Sequence, residues 1–316
     1  MPLDANLVRA LTELGVPLPE PTDDPVKQRT RAYEFEEAVF PALGLPGPRV
    51  PIHDHVVPVP GYPDVPVRLF YPREPASGSA LPVCLFFYGG GFSQGGLHHA
   101  GVAAQCARRA AEAGVIVAAV SYALAPEHPY PTALEQGYAA LEWVVREASA
   151  LGADATRIGV SGQSSGGNLA AALTLLNRDR GGYPLALQIL EVPFLDLTDD
   201  PGERDLGEVT AELIADLARL LRWYLPEGAD RRDPYVSPLR ATDFTGLPPA
   251  YIVTAECDPI RGDGERYAAA LANAGIPVSA LQLIGLPHNG GLFERASLTA
   301  RSAGQAIVAA LRTLHD

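Results

Sequence analysis

Short apolar runs of four to eight residues alternate along most of the chain with longer stretches in which Ala, Leu, Glu and Arg recur at helical spacing. A short run bounded by Gly, Pro or polar residues reads as a strand, and the longer stretches read as amphipathic helices. The runs near His55–Val59, Val65–Tyr71, Val83–Tyr88, Val115–Val120, Arg157–Ser161, Leu185–Val192, Ala250–Ala255 and Val278–Ile284 predict eight strands. Helices are predicted near Ala100–Ala113, Thr132–Ala150, Gly166–Asn177, Val209–Tyr224, Asp263–Ala274 and Phe293–Leu314. Strand–helix alternation of this kind argues for an α/β fold with a mostly parallel sheet flanked by helices. The first two strands have no helix between them and read as an antiparallel hairpin through Gly61.

Two parts break the alternation. Residues 1–50 hold apparent helices near Asn6–Leu14 and Pro25–Phe40, and a second stretch runs over about 196–228. Both are read as a helical cap over the strand ends, with the catalytic domain spanning 51–316. The plainer alternative is an N-terminal arm and an ordinary connection with its helix. No internal repeat or linker divides the chain.

Composition narrows the function. Of 316 residues, 47% are hydrophobic and 19% charged, which suits a globular core, while 31 Gly and 30 Pro imply many tight turns. Twenty-four basic against 37 acidic residues leave −13, a field that repels phosphate backbones and anionic lipid surfaces. Nucleic acid and membrane insertion are therefore not expected partners. The longest apolar stretches fall far short of the roughly 18 residues a membrane helix needs, and the N-terminus lacks a basic segment followed by an apolar one. A cytoplasmic location is expected. Cys84, Cys106 and Cys257 are too scattered for a disulfide framework or metal knuckle and read as reduced thiols.

The chemistry gathers around Gly162-Gln163-Ser164-Ser165-Gly166, a Gly-x-Ser-x-Gly pattern between a strand and a helix start. Small residues on either side let the chain turn sharply and present the Ser164 hydroxyl. The Tyr88-Gly89-Gly90-Gly91-Phe92 run follows another strand, and its glycines can aim backbone N–H groups at a developing negative charge. A flexible loop or a phosphate nest is the alternative, but neither a Walker lysine nor a dinucleotide fingerprint follows. A serine nucleophile needs a base, ordered Ser, then Asp or Glu, then His along the chain. Of seven histidines only His288 and His315 lie beyond Ser164. His288 stands in a turn-rich loop after the last strand and is read as the base, while His315, the penultimate residue, is expected to be frayed. Asp258, just past the seventh strand, is read as the acid that orients it. Asp196 and Asp263 compete for that place, the latter reading better as a carboxylate at a helix N-terminus.

At these residues the sequence resembles the bacterial hormone-sensitive-lipase-like carboxylesterases of the α/β-hydrolase fold. The resemblance runs from about Pro82 to Gly291. It includes Ser121-Tyr122-Ala123-Leu124-Ala125-Pro126-Glu127-His128-Pro129-Tyr130-Pro131, the Ser164 elbow, Asp233-Pro234-Tyr235-Val236-Ser237-Pro238-Leu239 and Asp258-Pro259-Ile260-Arg261. It implies a serine hydrolase of short to medium acyl esters, with catalytic Ser164, Asp258 and His288 and an oxyanion hole of Gly90, Gly91 and Ser165. It also implies a cap from the N-terminal region and the segment after Pro193. No cofactor or metal is expected; the partner is a small-molecule ester, with a homodimer left open. Departures stand at Tyr88, where the family has His, at Gln163 and Ser165, where it has Asp and Ala, and at Asn289, where it has Gly. The Tyr88 hydroxyl is a candidate tether for the glycine loop, and His128 is read as structural. An amidase, peptidase or lactonase would use the same residues. A receptor on a retired hydrolase fold, like the plant gibberellin receptors, fits less well because such proteins lose the catalytic His.

Overall fold

A computed structural model describes residues 3–74, 80–198 and 211–316, and the side chains of all these but 211–215. Residues 199–210 of the segment read as cap lie outside that range, and with them Val209, the predicted start of the helix that follows. Among the described residues, eight strands form one sheet: β1 (Ile52–Val57), β2 (Val65–Phe70), β3 (Leu81–Phe87), β4 (Ile116–Val120), β5 (Ala153–Gln163), β6 (Leu185–Glu191), β7 (Ala250–Cys257) and β8 (Val278–Pro287). Their spatial order is β1-β2-β4-β3-β5-β6-β7-β8. β2 is antiparallel to both β1 and β4, and all other pairs are parallel. β3 and β4 are buried at every residue, which is why they read as continuous apolar runs rather than alternating ones.

The helices are α1 (Ala5–Leu14), α2 (Pro25–Leu43), α3 (Ala100–Ala113), α4 (Thr132–Leu151), α5 (Ser165–Arg180), α6 (Ala211–Tyr224), α7 (Arg261–Asn273) and α8 (Leu298–Arg312). The path from β3 to β4 runs one way across the sheet, and the paths from β5 to β6 and from β7 to β8 run the other. With right-handed crossovers, α3 must fall on one face and α5 and α7 on the opposite face. The packing agrees: α3 lies against α8, and α4 against α5. Between β3 and β5 the direction of winding reverses, so their following loops diverge and leave a crevice at the C-terminal ends of the strands.

Boundaries differ from the sequence reading where side chains are polar. β1 starts at Ile52 because pairing with β2 and the Arg68–Asp54 ion pair hold an exposed edge that lacks an apolar pattern. α8 starts only at Leu298, since Ser297 caps it by accepting from the Ala300 N–H. His315 is not frayed: its Nε2 lies 3.0 Å from the Ala113 carbonyl. α1 and α2 sit outside the alternation, as expected. Asp4 caps α1, donates its N–H to Gly285 O at 2.8 Å and accepts from Ser297 Oγ at 2.8 Å, pinning the N-terminal segment to β8 and the start of α8. Glu36 of α2 pairs with His99 at 2.6 Å and accepts the Gly101 N–H at 2.8 Å, which docks α2 on the start of α3.

Candidate active site

The crevice at the winding reversal holds Ser164. Its backbone has φ 53° and ψ −117°, a region that non-glycine residues enter only when the surroundings force it. Those surroundings are glycine-dependent. A Cβ on Gly162 would lie 2.1 Å from Gly166 O, and one on Gly166 would lie 2.2 Å from Phe87 O. The turn is therefore sterically closed to any other residue at both places, which is the physical content of the Gly-x-Ser-x-Gly pattern. Ser164 N–H donates to Glu191 O at 2.9 Å, and its carbonyl accepts from Phe194 N–H at 3.1 Å and Asn168 N–H at 3.0 Å. Fully buried Asn168 adds bonds from Nδ2 to Phe194 O (2.8 Å) and Val236 O (3.0 Å), joining the elbow to the Asp233–Leu239 segment. The sequence reading did not single out Asn168, although its place in the first turn after a nucleophile elbow was visible.

β7 and β8 are neighbours, so the loops after them deliver Asp258 and His288 side by side. His288 Nε2 lies 2.8 Å from Ser164 Oγ, and His288 Nδ1 lies 2.7 Å from Asp258 Oδ2. The other Asp258 oxygen accepts the Ile260 N–H at 3.0 Å, and the carboxylate has no solvent exposure. Burial alone would lower the His288 pKa, but the charge of Asp258 and its hydrogen bond outweigh it and hold the value above the ordinary 6.5. The two competing acids are engaged elsewhere. Asp196 pairs with Arg240 at 2.7 Å and accepts from Thr198, bonds that keep its carboxyl below the usual range despite burial. Asp263, in the first turn of α7, accepts the N–H groups of Leu195 and Asp196 at 3.0 Å each and pins the chain after β6.

The glycine loop after β3 lies against the elbow: a Cβ on Gly89 would sit 3.1 Å from Gln163 O and 3.4 Å from the Ser164 Cβ. Gly90, Gly91 and Phe92 have φ of 132°, 59° and 60° in succession. Among the described residues, no acceptor takes the N–H of Gly90, Gly91 or Ser165, so the three amides are available to an anion. Ser165 opens α5, whose N-terminal dipole adds to the effect. Among the described residues, the non-glycine positions with positive φ are Phe92, Ser164 and Val192, and all follow strand ends around this crevice.

The departures from the family pattern are accommodated. Tyr88 stacks on Tyr122 at 4.4 Å, its hydroxyl donates to Tyr122 O at 3.2 Å, and the Tyr122 hydroxyl donates to Tyr88 O at 2.8 Å. The tether thus acts at the foot of the glycine loop rather than on Gly89 to Gly91 themselves. Gln163 lies 3.4 Å from Glu191, which is buried in an ion pair with Arg109 at 2.8 Å. Asn289 is exposed with an ordinary φ of −91°, so the backbone there has no need of glycine. His128 is half-buried, and its N–H closes a turn onto Leu124 O. Burial raises the Cys84 thiol to about 11 and the Cys106 thiol to about 12, which leaves both unreactive at neutral pH. Among the described residues, no group of three or more His, Cys, Asp or Glu is placed to hold a metal, and no helix is long and apolar enough to cross a membrane.

A family model described as the alpha/beta hydrolase fold matches residues 84–290, from within β3 to just past His288. The chain belongs to the hormone-sensitive-lipase-like family of α/β-hydrolases. It is 38% identical over 279 residues to carboxylesterase NlhH of Mycobacterium tuberculosis, covering 85% of this chain and 84% of that protein. It is 34% identical over 256 residues to the ethyl acetate hydrolase of Pseudomonas putida, covering 80% and 78%. Among solved structures, the hyperthermophilic esterase from the archaeon Pyrobaculum calidifontis superposes with a TM-score of 0.88 at 33% identity, covering 100% of this chain and 99% of the other.

Proposed function

We propose that this α/β-hydrolase is a serine carboxylesterase acting on small esters with short to medium acyl chains. Ser164 attacks the ester carbonyl while His288 takes its proton and Asp258 holds the imidazole. The amides of Gly90, Gly91 and Ser165 receive the negative charge of the tetrahedral intermediate. His288 then returns the proton to the departing alcohol, leaving an acyl-enzyme that water clears by the same steps in reverse order. The scheme draws on side chains and backbone amides alone.

The observation that carries this reading is the continuous bond path Asp258–His288–Ser164 at 2.7 and 2.8 Å beside three amides without acceptors among the described residues. The relatives' names support an ester substrate, and the ethyl acetate hydrolase supports a short acyl group. α1, α2 and the segment containing α6 are assigned as the cap that bounds the acyl pocket.

The test is hydrolysis of p-nitrophenyl esters from acetyl to palmitoyl by the intact protein and by Ser164→Ala. Turnover is expected to be highest for short and medium chains, and the substitution should remove about a millionfold in kcat. Near-native turnover by Ser164→Ala would overturn the assignment. A preference for palmitoyl would overturn the chain-length part alone.

A further inference from the structure

The loop that bears Gly90 and Gly91 holds a backbone shape that its surroundings must enforce. Three consecutive residues carry positive φ, and one of them, Phe92, is not glycine. A cavity of about 430 Å³, lined by Tyr88, Gly95, Gly96, Ser121 and Tyr122 among others, adjoins its foot and its return. The Tyr88–Tyr122 stack holds the foot beside that cavity, and beyond the foot the loop's shape is held by contacts from other elements.

Two helices outside the strand–helix alternation supply them. From α6, the Tyr224 ring stacks on Phe92 with centroids 3.6 Å apart and planes 4° from parallel. One turn earlier, Leu220 lies so close to Gly91 that a Cβ there would be 2.6 Å from Leu220 Cδ1. From α2, Arg29 Nε donates to Ser93 O at 2.7 Å and Nη2 donates to Ala125 O at 2.7 Å. Ala125 N–H in turn donates to Phe92 O at 3.0 Å, which closes the path back to the loop. The guanidinium is held in plane by two bonds to Glu127, at 2.9 and 2.5 Å.

We infer that Tyr224 and Arg29 are positioning residues for the oxyanion donors, so that α2 and α6 take part in transition-state stabilisation as well as bounding the pocket. The inference rests on the esterase reading above. Backbone amides stabilise an oxyanion because they are already aimed at it, and a donor that swings must be reoriented at the moment of reaction. The planar substrate makes less use of those donors than the tetrahedral intermediate does, so their loosening is felt in kcat and not in KM. Tyr224 contributes its ring face, because its buried hydroxyl has no hydrogen-bond partner among the described residues.

The experiment compares wild type with Tyr224→Ala, Tyr224→Phe and Arg29→Lys. Competent sites are first counted by reaction with a fluorophosphonate run to completion, and kcat is expressed per counted site. Phenylboronic acid serves as the tetrahedral probe and butyramide as the planar one. Tyr224→Ala and Arg29→Lys should lower kcat and boronate affinity in parallel, by roughly ten- to a hundredfold, below the loss for deleting a donor outright. KM and butyramide affinity should stay within about twofold. Tyr224→Phe, which keeps the stack, should restore both. Wild-type kcat per site and boronate affinity in Tyr224→Ala would overturn the inference whatever its melting temperature, as would an equal loss for the planar probe. If Tyr224→Ala does not fold, Arg29→Lys decides by the same criteria. A wild-type protein that hydrolyses no ester and is not labelled at Ser164 would bring down the esterase reading, and the inference with it.

Discussion

Two influences of opposite sign act on His288. Burial disfavours the imidazolium, while the Asp258 carboxylate, by charge and hydrogen bond, favours it and prevails. Because the base must be neutral, kcat/KM is expected to rise with pH through an apparent pKa above 6.5, measurable in a profile from about pH 5 to 9. Proton linkage has the opposite sense. A raised folded-state pKa means that the pair contributes stability fully below the unfolded value, and this is lost as pH climbs through the folded one. The pair therefore stabilises the fold most where the base is least active. Asp258→Asn removes the charge and leaves the burial, so the apparent pKa should drop below that of the wild type and kcat should fall about ten-thousandfold. Gln163 offers a second test. The family resemblance leads one to expect Asp there, but in this chain a carboxylate comes from Glu191 on the neighbouring strand, already matched by Arg109. Gln163→Asp would set two carboxylates against one guanidinium and should destabilise by about 1–3 kcal/mol. Adding Glu191→Gln should recover much of that loss, as a urea-unfolding double-mutant cycle would show. Strict additivity would mean that the two positions are not coupled.

At the scale of elements, strands and helices packed against the core were legible because burial writes itself as apolar periodicity. Boundaries set by polar contacts were not: the start of β1 depends on an edge pairing, and the start of α8 on the Ser297 cap. The same division runs through the site. Ser164, Asp258 and His288 stand just past the ends of β5, β7 and β8, so chain order and strand ends sufficed to select them. The bonds of Asn168 to Phe194 and Val236, and of Asp263 to Leu195 and Asp196, depend on which segments meet, a matter of tertiary packing that the local sequence does not show. The elbow also makes a steric forecast. A Cβ on Gly166 meets two backbone carbonyl oxygens, Phe87 O at 2.2 Å and Tyr88 O at 2.4 Å, on the strand that leads into the glycine loop. Gly166→Ala should therefore push β3 and α5 apart, lowering the melting temperature and abolishing turnover. By contrast, Gly262 in the first turn of α7 has nothing within 4 Å of an added Cβ. Gly262→Ala should change stability by no more than about 1 kcal/mol, with ester hydrolysis intact. Equal effects at the two glycines would refute the steric account.

At the scale of the whole molecule, the question is whether the helices outside the alternation form a unit with stability of their own. Within α1 only Leu7 is buried, and it belongs to the same core cluster as the sheet; within α2 the buried residues are Gln28, Val39 and Leu43. Segments with so little interior cannot offset their own chain entropy, and a fold for them exists only while the body supplies the other face. The polar anchors point the same way: Asp4 is bound at β8 and Ser297, Glu36 at the start of α3, and Arg29 at the glycine loop. Unfolding is therefore expected to be one cooperative event rather than loss of these helices followed by loss of the sheet. The chain's two tryptophans allow a direct check, because Trp143 lies in α4 on the body and Trp223 in α6 over the glycine loop. Trp143→Phe leaves a fluorophore that reports α6, and Trp223→Phe leaves one that reports the body. In thermal melts, each variant's fluorescence transition should coincide with its own far-ultraviolet circular dichroism transition. Should the Trp223 signal melt well ahead of the circular dichroism while the Trp143 signal does not, α6 detaches as a separate unit, and its hold on Phe92 and Gly91 would then be lost at temperatures where the sheet is still folded.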